Sequence, residues 1–269
     1  MKIFVYGTLL QGMEREKVLE NSLYLGPTII RANLFDLGYF PGIKPGEGAV
    51  VGELYEIDEE TLKILDEIEG YYEKNEKDSL FIRQETVARK FSNGEYLKVL
   101  TYFYNSPVTR NQIRHGDYRR YILERNNEYQ WILAYGSNIS LKRITERVGK
   151  IDDYEKVYIN GFKLVFNKKS YWEDSVYANI CYTGSNEKCP AIAYRLSPKQ
   201  ITILDQYEGT PSHYMRITLP FLDEFGYKNI AQTYIAHPDQ LTSKKRPDPN
   251  YLQHIKNGYK EHGFEIKNF

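Results

Sequence analysis

The sequence contains only two cysteines, Cys181 and Cys189, and they form no CxxC pair, which excludes a disulfide framework and a thiol zinc pattern. It has no surplus of charge either: 36 Lys and Arg offset 36 Asp and Glu, leaving no excess to attract a phosphate backbone or an anionic lipid surface. No nucleic-acid or membrane partner is expected. No apolar run approaches the roughly 18 residues of a membrane span. The N-terminal MKIFVYGTLL has a single Lys, a short apolar stretch and no small-residue cleavage site, so it reads as a first strand, and a cytoplasmic location is expected. The five histidines (His115, His213, His237, His254 and His262) lack HExxH spacing, and neither YGTL nor YGSN is a GxSxG elbow. The glycines of FPGIKPGEGAVVG are not followed by GK(S/T), and Pro41 and Pro45 make that run a plain turn. No metal, cofactor or hydrolase triad is expected. The basic runs Arg119–Arg120 and Lys244–Arg246 are short or interleaved with acids and read as solvated faces.

What is present suits packed cores: 41% of residues are hydrophobic and 27% charged, over a length of 269 that matches about two domains at about 150 residues each. Tyrosine outnumbers phenylalanine 25 to 12, so many buried rings bring a hydroxyl that needs a partner.

The chain repeats itself. IFVYGTL (Ile3 to Leu9) returns as ILAYGSN (Ile132 to Asn138), with Gly7 matching Gly136. GELYEIDEETLKILDEIEG returns as AIAYRLSPKQITILDQYEG, with Tyr55 matching Tyr194, Leu65 matching Leu204 and Glu69 matching Glu208. Phe81, Ile82 and Arg83 pair with Tyr214, Met215 and Arg216, and Thr101 and Tyr102 with Thr233 and Tyr234. A period this long means domain duplication and not a solenoid. The copies meet at the polar stretch Asn126 to Glu128, giving domains 1–127 and 128–269.

In the first copy KIFVYGT, VVGELYEID, FIRQETVARKF and YLKVLTYFYN read as strands, and Met13–Leu19 and Glu59–Ile68 as helices. In the second copy the matching helix opens on a capping box from Ser197 to Gln200, and both such helices stop at a glycine, Gly70 or Gly209. Strands separated by helices without regular βαβ alternation give an α+β class with a curved, mostly antiparallel sheet or small barrel.

Two repeated features carry polar chemistry. The strand ending in YG(T/S) turns so that the following amides and hydroxyl can face a ligand, an arrangement that suits a carboxylate, although an ordinary strand exit has the same look. Glu69 and Glu208 each end an otherwise apolar helix, where unpaired carbonyls disfavour an anion and burial would add to the effect. Both pKa values are expected to rise toward the range useful for proton transfer. A single terminal Glu is ordinarily solvent-exposed; recurrence at matched positions favours function.

YG(T/S) followed by an LDxxEG helix end, present in both halves, resembles the gamma-glutamylcyclotransferase superfamily. The first half is similar to the branch that includes gamma-glutamylamine cyclotransferase and the BtrG-like proteins, the second to gamma-glutamylcyclotransferase proper. The resemblance implies two tandem domains, each a small mixed β-barrel with flanking helices. It implies an enzyme that cyclises a small L-gamma-glutamyl amide to 5-oxoproline and a free amine or amino acid, without a cofactor. Glu208 and Glu69 would be the catalytic acid/base groups. The glycine loop that binds the gamma-glutamyl head would be Tyr135, Gly136, Ser137 and Asn138, and likewise Tyr6, Gly7, Thr8 and Leu9; Tyr214 and Tyr251 would line the second pocket. The copies depart from one another where Phe81 replaces Tyr214 and Leu9 replaces Asn138, so different substrate preferences are expected. Two other readings stay open: a tandem small-molecule binding or regulatory module without turnover, and an acyl-removing enzyme acting on gamma-glutamylated biosynthetic intermediates.

Overall fold

Alternation along the first strand sorts its side chains between two cores, Phe4 and Tyr6 to one and Ile3 and Val5 to the other, as a period of two requires. The computed structural model describes residues 1–108, 110–170, 175–184, 186–223, 225–243 and 246–265; Lys244 and Lys245 of the second basic run lie outside them. In the first repeat β1 (Lys2–Val5), β2 (Leu23–Asp36), β3 (Pro41–Glu56), β4 (Phe81–Lys90) and β5 (Tyr96–Tyr104) close into a barrel in the order β1-β3-β2-β4-β5. β1 runs parallel to β5 and the other pairs are antiparallel, so the barrel is mixed. The parallel seam is short, and Thr101 reinforces it by donating from Oγ1 to the Phe4 carbonyl at 3.0 Å. Helix α1 (Glu59–Glu69) packs Leu65 against Ile3 and Val5; Asp58 caps its start and Gly70, at φ 60°, its end.

The second repeat contains β6 (Gln130–Ala134), α3 (Leu141–Val148), β7 (Tyr154–Asn160), β8 (Phe162–Lys169), β9 (Val176–Tyr182), β10 (Lys188–Leu196), α4 (Pro198–Glu208), β11 (Tyr214–Leu222), β12 (Lys228–Ala236) and α5 (Pro249–Glu261). Its barrel closes in the order β10-β6-β12-β11-β7, again with one parallel seam, β6 to β12, while β8 and β9 pair as a separate two-stranded sheet. The capping box at Ser197 and Gln200 forms, and Gly209, at φ 64°, ends α4. The α+β class and the tandem barrels read from the sequence are thus present. Packing divides the chain into Met1–Ile122 and Leu123–Phe269, a division that falls within the helix Tyr118–Asn126, here α2. Among the described residues no helix is long and apolar enough to cross a membrane.

Three local expectations are corrected. Of Met13–Leu19 only Glu16–Leu19 winds, as one 3₁₀ turn, because Arg15 offers no side-chain cap and Gly12 enters at φ 77°. The glycine run after Pro41 is not a turn but the first half of β3. A register shift opposite Arg31 and Asn33 accommodates it, and Asn33 Oδ1 accepts the Gly48 N–H at 3.1 Å. Side chains are excluded there, since a Cβ on Gly46 would lie 2.2 Å from Asn33 Nδ2.

Arg119, the third, is buried and not solvated. Its Nη1 donates to Glu53 Oε1 at 2.6 Å and to the Gln11 carbonyl at 2.8 Å, while Glu53 Oε2 accepts from the Gln11 N–H at 3.0 Å and the Tyr55 hydroxyl at 2.9 Å. Glu53 is 0% and Arg119 2% exposed, so each charge depends on the other. This pair pins the loop that follows Leu9. Arg119→Ala therefore leaves an unpaired buried carboxylate, and urea denaturation should show a loss of about 3–5 kcal/mol from the first unit. Glu53→Gln combined with Arg119→Met should recover most of it; equal losses in single and double variants would show that the pair contributes through packing alone.

Candidate functional site

In the first unit β1 delivers the chain into a turn at Tyr6 to Leu9, and the buried Tyr6 hydroxyl donates to the Tyr102 carbonyl on β5 at 2.7 Å. Burial pushes the Tyr6 pKa well above its usual value, so this hydroxyl stays a donor. Gly7 is required by close approach and not by a left-handed backbone: a Cβ there would lie 2.8 Å from Pro41 Cγ. The N–H groups of Thr8 and Leu9 have no hydrogen-bond acceptor among the described residues, and both residues line a cavity of about 260 Å³. Glu69, on the last turn of α1, lines the same cavity with Arg15, Phe40, Ile68, Phe81 and Tyr102. One turn earlier Asp66 accepts from the Tyr102 hydroxyl at 2.8 Å and from Arg83 Nη1 at 2.5 Å, which ties the helix end to β5 and β4. The Glu69 carboxylate has no hydrogen-bond donor among the described residues. Burial raises its pKa to about 7, opposed in part by Arg15.

The second unit repeats the frame. The Tyr135 hydroxyl donates to the Tyr234 carbonyl at 2.5 Å, the Tyr234 hydroxyl donates to Asp205 at 2.7 Å, and Arg216 grips Asp205 through Nε at 2.9 Å and Nη2 at 3.0 Å. Gly136 again sits in close contact, here with Ala178. The site glutamate is treated differently. Glu208 Oε1 accepts from Asn138 Nδ2 at 2.8 Å and Arg147 Nη1 at 3.1 Å, and Arg147 also lies over the Tyr207 ring, 4.9 Å from its centroid. Both donors reach one oxygen, so Oε2 is left without a donor among the described residues. Tyr214 donates to the Ala178 carbonyl at 2.7 Å and Tyr251 accepts from the Ala178 N–H at 3.1 Å; together they pin β9 beside the loop. Two cavities, of about 370 and 40 Å³, share Ser137, Glu208, Tyr214 and Tyr251.

The family model described as gamma-glutamyl cyclotransferase, AIG2-like, matches the chain twice, at residues 3–120 and 132–254. The chain belongs to this family. Among its relatives is the gamma-L-glutamyl-butirosin B gamma-glutamyl cyclotransferase of Niallia circulans, 36% identical over 124 residues that cover 45% of this chain and 78% of that one. The gamma-glutamylcyclotransferase family protein YtfP of Escherichia coli K12 is 35% identical over 109 residues, 40% of this chain and 86% of its own. The crystal structure of YkqA from Bacillus subtilis aligns with a TM-score of 0.78 over 97% of this chain and 91% of that one, at 21% identity, and so shares the fold in both repeats.

Of the residues expected from the sequence, Tyr6, Gly7, Thr8, Leu9 and Glu69 line one cavity of the first unit, and Tyr135, Gly136, Ser137, Asn138, Tyr214, Tyr251 and Glu208 line the smaller cavity of the second, four of them also the larger. The sequence reading missed Asp66 and Asp205, although each is the Asp of LDxxEG, and their partners Tyr102 with Arg83 and Tyr234 with Arg216, although these recur as matched pairs. Recurrence was the available signal. Arg147, Lys168 and Arg143 had none, since no repeated motif covers them, although Arg15 stands near Glu69 on the first cavity as Arg147 stands by Glu208 on the second.

The pKa shift of Glu69 has a sign in stability. A folded-state pKa near 7 lies above the ordinary 4.5, so the neutral acid is accommodated and the charged form is penalised. The penalty is absent well below pH 4.5, grows as pH rises to about 7, and is complete above it. Glu69→Gln removes it. Thermal denaturation should therefore show a larger Tm gain for Glu69→Gln at pH 8 than at pH 5, and a gain independent of pH would contradict a desolvated carboxylate whose charge is penalised.

Proposed function

We propose that each unit cyclises an L-gamma-glutamyl amide. The substrate's α-amine attacks its own gamma-carbonyl, the new C–N bond closes 5-oxoproline, and the original amide C–N bond breaks to release the amine. Atoms balance without water. Because attack is intramolecular, holding the chain folded supplies most of the advantage: effective molarities for such reactions reach about 10⁵ to 10⁸ M. The work left for the protein is to orient the head group and move one proton.

The carrying observation is that in the first unit a carboxylate with no hydrogen-bond donor and a pKa near 7 lines one small cavity with two residues whose backbone amides have no acceptor among the described residues. The amides of Thr8 and Leu9 suit the substrate's α-carboxylate. Glu69 takes a proton from the α-amine and returns it to the departing nitrogen; a pKa close to ambient pH suits both halves of that transfer. In the second unit Ser137 and Asn138 take the place of Thr8 and Leu9. There Arg147 and Asn138 hold Glu208 by one oxygen, and this presents Oε2 to the amine.

Release of 5-oxoproline from gamma-glutamyl dipeptides and gamma-glutamyl amines tests the reading. Glu69→Gln and Glu208→Gln should each remove the activity of their own unit by about 10² to 10⁴ in turnover, with weaker effects on KM, and the double variant should be inert. In the Glu208→Gln protein the remaining activity should rise with pH through about 7, as the Glu69 base is uncovered. Binding of gamma-glutamyl compounds with no 5-oxoproline from any of them would leave a binding module in place of the enzyme.

A further inference from the structure

The larger cavity of the second unit holds more positive charge than its one carboxylate can offset. Arg147 is ion-paired with Glu208, whereas Lys168 and Arg143 line the same wall with no ion pair among the described residues; they share the field of that one carboxylate, to which Arg143 adds only the exposed Glu146 of its own helix. Lys168, on β8, is 4% exposed, so its ammonium is almost wholly withdrawn from water. Its Nζ lies 3.0 Å from His213 Nδ1 and faces the rings of Tyr177 and Tyr214 at 5.4 and 5.5 Å, which leaves it with no carboxylate partner among the described residues. Arg143, on α3, meets His254 Nε2 through Nη1 at 3.1 Å, and its Nε is buried with no acceptor. A buried cation without an anion is costly, and burial already draws the Lys168 pKa down to about 8. Three cations against one carboxylate on a single cavity lining mark a place where two further negative charges belong. The first unit's cavity differs in kind: Arg15 is balanced there by Glu69, and the remaining wall is largely Phe40, Pro41, Ile68, Leu80 and Phe81.

We propose that the second unit selects gamma-glutamyl compounds whose leaving amine carries two acidic groups, gamma-glutamyl-glutamate being the simplest, with Lys168 and Arg143 receiving those groups. This rests on the cyclotransferase reading for the reaction, although not for the binding. The glutamyl head occupies the loop at Ser137 and Asn138, and the leaving portion extends into the wider cavity, whose 370 Å³ falls in the usual range of small-ligand sites, about 300–1,000 Å³. The two ends of the substrate are thereby read by different chemistry, backbone amides for the head and side-chain cations for the tail.

The test compares gamma-glutamyl-glutamate, gamma-glutamyl-alanine and gamma-glutamyl-butylamine in the full chain carrying Glu69→Gln, so that the second unit alone turns over. kcat/KM should fall by about tenfold or more from the first substrate to the third. Lys168→Met should raise KM for gamma-glutamyl-glutamate about tenfold, change its kcat little and leave the butylamide almost unaffected. Arg143→Gln should act in the same direction, and Lys168→Arg should restore much of the loss. Equal loss on all three substrates would place Lys168 at the glutamyl head and overturn the proposal, as would a preference for the alanine or butylamine compound. Calorimetric titration of the same compounds into the Glu69→Gln/Glu208→Gln protein separates this from the reaction. Tighter binding of the dianionic compound that Lys168→Met abolishes would uphold the proposal even if no 5-oxoproline is ever released, and indifferent binding would end it.

Discussion

One tyrosine in each unit holds both halves of the site. Tyr102 takes the hydroxyl of Tyr6 on its carbonyl and gives its own hydroxyl to Asp66; Tyr234 does the same between Tyr135 and Asp205. The first contact fixes the loop that leaves β1 or β6, and the second fixes the last turn of α1 or α4, one turn before the glutamate. An aspartate near a helix C-terminus is opposed by the carbonyl dipoles around it. The arginine on the neighbouring strand, Arg83 or Arg216, offsets that opposition with a charge-assisted bond, stronger than a neutral one. In the first unit this latch is the hydrogen-bonded link between loop and helix end; in the second, Asn138 adds a direct bond from the loop to Glu208.

On that common frame the two glutamates have been given opposite surroundings. Glu69 is surrounded by aromatic and aliphatic walls with a single cation, Arg15, and no donor on its carboxylate, so desolvation governs its proton affinity. Glu208 is held by a guanidinium and an amide on the same oxygen, so geometry governs which oxygen is free. Leu9 and Asn138 account for much of the contrast. They occupy matched positions, yet Leu9 joins the apolar cluster beside α1 while Asn138 bridges Arg147 and Glu208.

The sequence carried the duplication, the barrel strands and the loop and glutamate of each site because these depend on local pattern and on repetition. What it hid depended on partners distant in the chain. Arg119 sits beside Arg120 and reads as surface charge; only Glu53, far earlier in the chain, makes it a core residue. Pro41 to Gly48 carries two prolines and three glycines, a turn-like composition that pairing with β2 overrides, with Gly46 and Gly48 serving the approach of Asn33. Met13–Leu19 has a helical rhythm but lacks a cap and enters from Gly12, so a single 3₁₀ turn is all it forms. Lys168 is hidden for a further reason: it lies on β8, whose first-copy counterpart is only the short stretch Asn33–Asp36 paired with Pro41–Lys44, so no repeated motif pointed to it.

The division between latch and wall explains how one duplicated frame can hold two electrostatically distinct cavities. The latch is made of the same residue types in both units: tyrosine to carbonyl, tyrosine to aspartate, arginine to aspartate. Any change there moves the glutamate relative to the loop, and proton transfer tolerates little displacement because it needs hydrogen-bond reach. Most of the wall carries no such constraint. Lys168 on β8 and Arg143 on α3 alter what the cavity attracts without touching the latch, whereas Arg147 and Tyr214 do both, holding Glu208 and β9 as well as lining the wall. Position is therefore encoded mainly by the latch and selectivity mainly by the wall, so the second can diverge while the first stays fixed.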